Sequence, residues 1–309
     1  MARKKKKVNI VTSVLFLAVV GILSTLTFSP YLELPVDLPS WADLKGTDST
    51  PVIETGDNIH IIDVGQGDAI LIKSGDKTAL IDTGPGTGTT KLLRYLNQRN
   101  IKTIDALILT HPHEDHIGGA TAVLTGFDVQ TIYMMKSEGS LTPTTKTYTT
   151  LLTTIKNQNK KIKAPATGDN VKLGNFTLNF FAPKGKYDNL NNYSIIVKAV
   201  HQSTSAIFMG DAETAEETEL LKSGFDVAAD LLKVGHHGSK TSSSEAFLEA
   251  VKPSFGAISL AKDNDYGHPH GITLSKMNKR NITVYRTDQS GNLLFTTDGS
   301  KFTVKAEKQ

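Results

Sequence analysis

Six residues, His111-Pro112-His113-Glu114-Asp115-His116, hold three of the nine histidines of this 309-residue chain together with an aspartate. Neutral imidazole nitrogen and carboxylate oxygen are the donors preferred by zinc, with manganese and iron as competitors. In a loop, His111 and His113 can turn to one side. Asp115 and His116 follow in the next turn and can face a second position close by. Two such positions sharing one water make a two-metal site. The apolar run Ala106-Leu107-Ile108-Leu109 precedes the histidines, and the small, helix-compatible run Gly119 to Leu124 follows. That context places them in a loop at the carboxyl end of a buried strand, where layered α/β folds build their sites.

Further motifs accompany this one. In chain order they are Asp63-Val64-Gly65-Gln66-Gly67-Asp68-Ala69, Leu80-Ile81-Asp82-Thr83-Gly84, Asn192-Tyr193-Ser194, Met209-Gly210-Asp211, Lys233-Val234-Gly235-His236-His237-Gly238-Ser239 and Tyr266-Gly267-His268-Pro269. His111-x-His113-x-Asp115-His116 resembles the signature of the metallo-β-lactamase fold. The set as a whole, over roughly residues 57 to 298, resembles the soluble domain of ComEC-type competence proteins. The resemblance implies an α/β fold, a four-layer αββα sandwich, holding two divalent ions, zinc or manganese. It implies that Asp211 bridges them, that His237 completes the second with Asp115 and His116, and that His236 lies nearby. Asp82 would orient the metal loop from behind the ligands, which fixes imidazole tautomer and angle. Asp63, Gln66 and Asp68 would line the pocket entrance. His268 would donate a proton to a leaving oxygen or hold a phosphate.

One departure stands out. Many relatives supply a third histidine to the first metal from the segment after the metal loop, and between Ile117 and Gly210 this chain has only His201. Ser194 to Val200 and Ser205 to Met209 read as a hairpin with His201 at its tip, roughly 17 to 20 Å from the end carrying Asp211 at about 3.3 Å per residue. The first ion is therefore expected to have His111, His113, Asp211 and either Asn192 or water, and to bind more weakly than the second. His60, on a strand, is expected to be packed, and His270 inert.

The elements that must position these groups read as follows. Ile59 to Val64, Ala69 to Ile72 and Thr78 to Asp82 form a three-stranded meander. A helix runs from Tyr148 to Lys156. Ala212 to Leu221 is a second, with Glu213, Glu216 and Glu217 on a solvated face. Val227 to Val234 is a buried strand. Gly238 and Ser239, followed by Lys240 and a helix from Ser243 to Val251, offer backbone donors and a positive helix end suited to a phosphate. Phe255 to Leu260 is another strand, and Asn281 to Arg286 and Leu293 to Thr296 finish the sheet.

At the amino terminus, residues 1–7 form a basic flank and 8–28 carry no charge. That run spans a bilayer core of roughly 30 Å at about 1.5 Å per residue. It reads as a single-pass anchor with the amino terminus inside and the catalytic domain outside. A cleaved signal segment, which would leave the protein secreted, is the rival. Residues 29–57, with four prolines, read as an extended linker to a domain over 58–309, and Trp41 is expected to pack. The chain has no cysteine, hence no thiolate ligand or disulfide framework. Of the net charge of +3, residues 51–309 carry +1, so no global electrostatic footprint for nucleic acid is present.

The expected function is metal-dependent hydrolysis by a metal-bound hydroxide. Phosphodiester cleavage in extracellular DNA, single-stranded DNA included, leads by resemblance. A cell-wall or lipid phosphodiesterase such as a phosphorylcholine esterase is the alternative. Weaker readings are a β-lactam or lactone hydrolase and a non-catalytic tethered binding module. Nothing in the sequence sets an oligomeric state.

Overall fold

The computed structural model describes residues 54–136 and 141–308. The basic flank, the apolar segment 8–28, Trp41 and all but the last residues of the 29–57 linker lie outside the described residues. Among the described residues no helix is long and apolar enough to cross a membrane.

The chain opens with the expected meander, β1 (Asp57–Ile61), β2 (Ile70–Ser74) and β3 (Lys77–Ile81), all antiparallel. Helix α1 (Thr89–Gln98) leads to β4 (Thr103–Leu109), parallel to β3. The helical turn α2 (Glu114–Ile117) and α3 (Ala120–Gly126) lead to β5 (Asp128–Met134), and α4 (Lys146–Asn157) to β6 (Ile162–Lys163). A second sheet begins with β7 (Asn170–Leu173), β8 (Phe176–Phe181), β9 (Ile196–His201) and β10 (Thr204–Phe208). It continues through α5 (Thr214–Lys222), β11 (Leu231–Lys233), α6 (Glu245–Val251), β12 (Phe255–Ile258), α7 (Gly271–Asn278) and β13 (Thr283–Arg286). The chain then returns to the first sheet as β14 (Leu293–Thr297) and β15 (Phe302–Ala306). The strand orders are β15-β14-β1-β2-β3-β4-β5-β6 and β13-β12-β11-β10-β9-β8-β7.

Period-two alternation on strands apolar on both faces builds three seams. Ala79, Ile81, Ala106 and Ile108 meet Phe180, Val197, Ala199 and Phe208 between the sheets. Their neighbours Leu80, Leu107 and Leu109 pack outward against Leu92, Leu96, Val123 and Leu151 of the helices. Ile196, Ile207 and Leu232 pack against Leu220, Leu248 and Met277. Three seams between helix, sheet, sheet and helix make the αββα sandwich.

Several expectations change. Residues 281–286 and 293–296 do not finish one sheet: β13 is the edge of the second, whereas β14 pairs with β1 in the first. Glu216 and Glu217 are buried at 0% and 1% exposure, not solvated, because α5 turns Glu217 toward the turn before α6 and Glu216 toward the segment at Ser194. Glu217 accepts the backbone N–H groups of Ser243 and Ser244 at 2.5 and 2.9 Å. Burial pushes both carboxyl groups up, the hydrogen bonds to Glu217 only partly opposing it. His201 is buried in β9 with Nε2 3.4 Å from Asp57, paired with the first residue of β10 and so away from Asp211.

Candidate metal centre

Strands β3 and β4 run parallel in one sheet, and β10, β11 and β12 run parallel in the other. The segments after their carboxyl ends carry Asp82, the His111 loop, Asp211, the His236-His237 turn and Ser259. Asp82 takes a left-handed conformation, φ 57°, as it leaves β3. Its carboxylate accepts Thr110 N at 2.8 Å, Thr110 Oγ1 at 2.7 Å and His116 Nδ1 at 2.7 Å. With Nδ1 held, His116 Nε2 is aimed at Asp211 Oδ1, 3.2 Å away, and Asp115 Oδ2, 3.7 Å away. Asp82→Ala is therefore expected to weaken metal binding about 10- to 100-fold. Competition against a chelator checks this; unchanged affinity would mean that the loop backbone alone fixes the ring.

The facing histidine is held in the same manner. His236 and His237 both have left-handed backbones, φ 49° and 51°, at a cost on the order of 1–3 kcal/mol each. His237 Nδ1 donates to Ser259 O at 2.8 Å, which leaves Nε2 3.2 Å from Asp115 Oδ2 and 3.4 Å from Asp211 Oδ1. Asp115, His116, Asp211 and His237 thus bring one donor atom each within 4.8 Å of one another, and His111, His113 and Asp211 form a second such group. Asp211 belongs to both: Oδ1 faces His116 and His237, while Oδ2 lies 3.7 Å from His111 Nε2. The loop that closes over Asp115 approaches so tightly that a Cβ at Gly67 would sit 2.1 Å from Asp115 O.

The donor set fits a divalent cation pair. His116 Nε2 and Asp211 Oδ1 are buried without a hydrogen-bond partner, which is costly unless a charge sits between them. Burial drives the His111 imidazole well below its ordinary range. At His116 burial acts in the same sense, but Asp211, Asp82 and Asp115 outweigh it and hold the ring well above. His237 is raised likewise, Asp211 and Asp115 outweighing burial. These two imidazoles retain protons to higher pH than free histidine, and a metal must displace them. Metal affinity is accordingly expected to fall as pH falls, with protons released on binding. Calorimetry in buffers of different ionisation enthalpy measures that release; none would contradict the assignment of His116 and His237.

The other expected site residues divide. His236 does lie beside the cluster, with Nε2 3.7 Å from Asp211 Oδ2 and Nδ1 3.4 Å from Glu213. It brings a second imidazole to the oxygen that faces His111, from a direction the spacing did not suggest. Asn192 does not face the cluster. Its Oδ1 accepts Glu213 N and Glu216 N at 3.1 and 3.3 Å and so caps α5. Ser194 takes the adjoining place, its Oγ 3.4 Å from His111 Nδ1 and accepting Asp211 N at 3.1 Å.

Ser239 is buried and bonds Thr241 through its own Oγ, and the N–H groups expected for a phosphate before α6 are taken by Glu217. Lys240 is exposed, and its N–H donates to His270 Nδ1 at 3.2 Å, which gives His270 a structural partner. Asp63 closes a turn on Gly65 and lines a separate 370 Å³ cavity with Lys91, Arg94 and Lys308, away from the cluster residues. Gln66 Oε1 accepts Ala261 N at 3.2 Å, tying two loops together.

Asp68 is 1% exposed, so it touches no substrate; it lies behind His237, Oδ1 3.5 Å from Nδ1. Its partner is Lys233, fully buried, whose Nζ donates to Asp68 Oδ2 at 2.8 Å across the two sheets. No role was expected for Lys233. The signal was a lysine inside the apolar run Leu231-Leu232-Lys233-Val234, since a charge so placed must be paired. His268 stands at the rim, half-buried, its ring 5.5 Å from His236 and 6.4 Å from His237. Burial and the neighbouring His236 and His237 lower it to about 4.

Residues 62–261 match the Metallo-beta-lactamase superfamily. The chain is 31% identical to ComE operon protein 3 of Bacillus subtilis (strain 168) over 79% of its own length and 34% of that protein. It is 28% identical to competence protein ComA of Neisseria gonorrhoeae over 77% of its own length and 32% of that protein. It thus spans about a third of the length of these relatives. Among solved structures, CmlA, a diiron beta-hydroxylase from Streptomyces venezuelae, shares the fold at a TM-score of 0.55 and 12% identity, over 79% of this chain and 55% of that one. With two sheets in this order, the histidine loop after β4 and the match across 62–261, the chain belongs to the Metallo-beta-lactamase superfamily and resembles the ComEC-type competence proteins.

Proposed function

We propose that this chain is a phosphodiesterase that cleaves single-stranded nucleic acid on the outer side of the membrane, to which residues 8–28 anchor it. The observation that carries the reading is the division of Asp211, one carboxylate oxygen toward each of two donor groups. The match to competence protein ComA and to ComE operon protein 3 agrees with the resemblance to ComEC-type competence proteins, from which the DNA substrate is taken.

His111, His113 and Asp211 would hold one divalent cation, with His236 beside them, and Asp115, His116, Asp211 and His237 a second, zinc or manganese. Such a pair lowers the pKa of a shared water and offsets charge on a phosphoryl group. Asp115 has 29% of its side chain exposed, against 3% for Asp211, so Asp115 is the carboxylate that can orient an attacking water. His268 is neutral at pH 7 with a value near 4, which supports a hydrogen bond from its ring to a phosphoryl oxygen over a standing supply of protons.

The test is cleavage of a labelled single-stranded oligonucleotide by the full chain in manganese or zinc. Metal-dependent cutting that a chelator stops is expected. A folded, metal-loaded chain inert on every phosphodiester contradicts the reading. Release of phosphorylcholine from cell walls, without cutting of DNA, would move the substrate to a wall polymer.

A further inference from the structure

Beside the metal centre lies a feature that phosphodiester chemistry alone does not require. Tyr266 and Ile272 are the large apolar side chains left exposed among the described residues, Tyr266 at 64%. The Tyr266 ring stacks on His268 at 5.6 Å and 21°, and His268 is near-parallel to His237 at 6.4 Å and 29°. A run of three rings therefore leads from the cluster to solvent and ends in the exposed Tyr266 ring, whose ring partner among the described residues is His268.

The loop that carries this run is held in shape. Gly267, at φ +69° with open space where a Cβ would stand, turns the chain between the two rings. Asn264 grips His268 from both sides, its Oδ1 accepting His268 N at 3.0 Å and its Nδ2 donating to His268 O at 2.7 Å. Gln66 fixes the base of the loop at Ala261. A stacking surface prepared in this way costs little ordering on binding.

A cavity of about 410 Å³ opens against His268, lined among others by Lys262, Asn264, Arg286, Asp288 and Gln289. Its charges balance. Asp288 holds Arg286 through both carboxylate oxygens, at 3.0 and 2.5 Å, and Asp263 stands with Lys262 in the wall. A second phosphate gains little there. A neutral, flat ring with hydrogen-bonding edges fits better, because the Gln289 amide of the wall can meet such an edge while the exposed Tyr266 ring, beside the Gly267 and His268 of that wall, takes the ring plane.

We infer that the Tyr266–His268 stack and the adjoining cavity form a nucleobase subsite, which seats a base of single-stranded nucleic acid next to the phosphate at the metal cluster. The inference rests on the nucleic-acid reading above and adds what the chain grips besides phosphate.

The test is equilibrium binding to the full, metal-loaded chain of a labelled single strand and of an abasic strand of equal length, both built with phosphorothioate links that resist cutting. The base-bearing strand should bind about 5- to 150-fold tighter, the range one stacked base supplies. Tyr266→Ala should remove most of that ratio and Tyr266→Trp keep it. Overall affinity should fall with salt while the ratio holds, since stacking releases no counterions. Equal affinity for the two strands, or a ratio that Tyr266→Ala leaves intact, overturns the subsite. Failure of the underlying reading shows separately, as absence of metal-dependent cutting of either strand when built with ordinary phosphodiester links.

Discussion

Asp211→Ala is expected to lower phosphodiester turnover by at least about 10³-fold, more than the loss of a single charge-stabilising donor costs. The variant should also leave the chain unable to hold two metal ions at once. The reason is geometric: one carboxylate serves both donor groups, with Oδ1 at 3.2 Å from His116 and Oδ2 at 3.7 Å from His111. Its removal would take a donor from each of the two groups and leave His116 and His237, whose raised protonation Asp211 sustains, facing one another. Asp211→Asn keeps the shape and tests the charge alone. Metal content by atomic emission, beside the turnover of both variants, checks the expectation. Two bound ions and ordinary turnover in Asp211→Ala would remove the carboxylate from its bridging place.

The second large effect is on stability. Lys233→Met should destabilise the fold by about 3–5 kcal/mol, read from the denaturant midpoint, because it leaves Asp68 as a buried charge without its partner. Lys233 Nζ sits between Asp68 Oδ2 at 2.8 Å and Val234 O at 3.1 Å, with no exposure. Asp68 Oδ1 lacks a hydrogen-bond partner, and the imidazole beside it, His237 with Nδ1 at 3.5 Å, spends that N–H on Ser259 O. The double variant Lys233→Met/Asp68→Asn removes both charges and should recover much of the loss, because desolvation no longer goes unpaired. A single variant as stable as the parent would mean that the pair contributes nothing to joining the sheets.

The cluster of candidate donors was legible because its residue types are scarce and crowded: His111, His113, Asp115 and His116 stand within one loop. The meander β1 to β3 was legible from its alternation, and His201 from hairpin arithmetic. Polar groups whose partners come from distant segments were not. Glu217 carries the spacing of a solvated helix face, yet it caps the turn before α6, 26 residues on. Hairpin geometry brings Asn192 toward the end that carries Asp211, but its side chain turns its oxygen to the N–H groups of α5. His236 was expected nearby and lies there, but which oxygen of Asp211 it faces was not legible, because two successive left-handed residues aim adjacent imidazoles at different oxygens. Strands β7 and β15 alternate polar and apolar residues over four and five positions, a signal the sequence carries although neither strand was expected.

The most direct measurement adds zinc or manganese stepwise to the metal-free full chain while cleavage of a labelled single-stranded oligonucleotide is followed. Two donor groups that share Asp211 predict little cutting up to one equivalent, then a rise that levels off at two. Full cutting at one equivalent would contradict the shared two-ion centre, and no cutting with both ions bound would contradict phosphodiester hydrolysis itself.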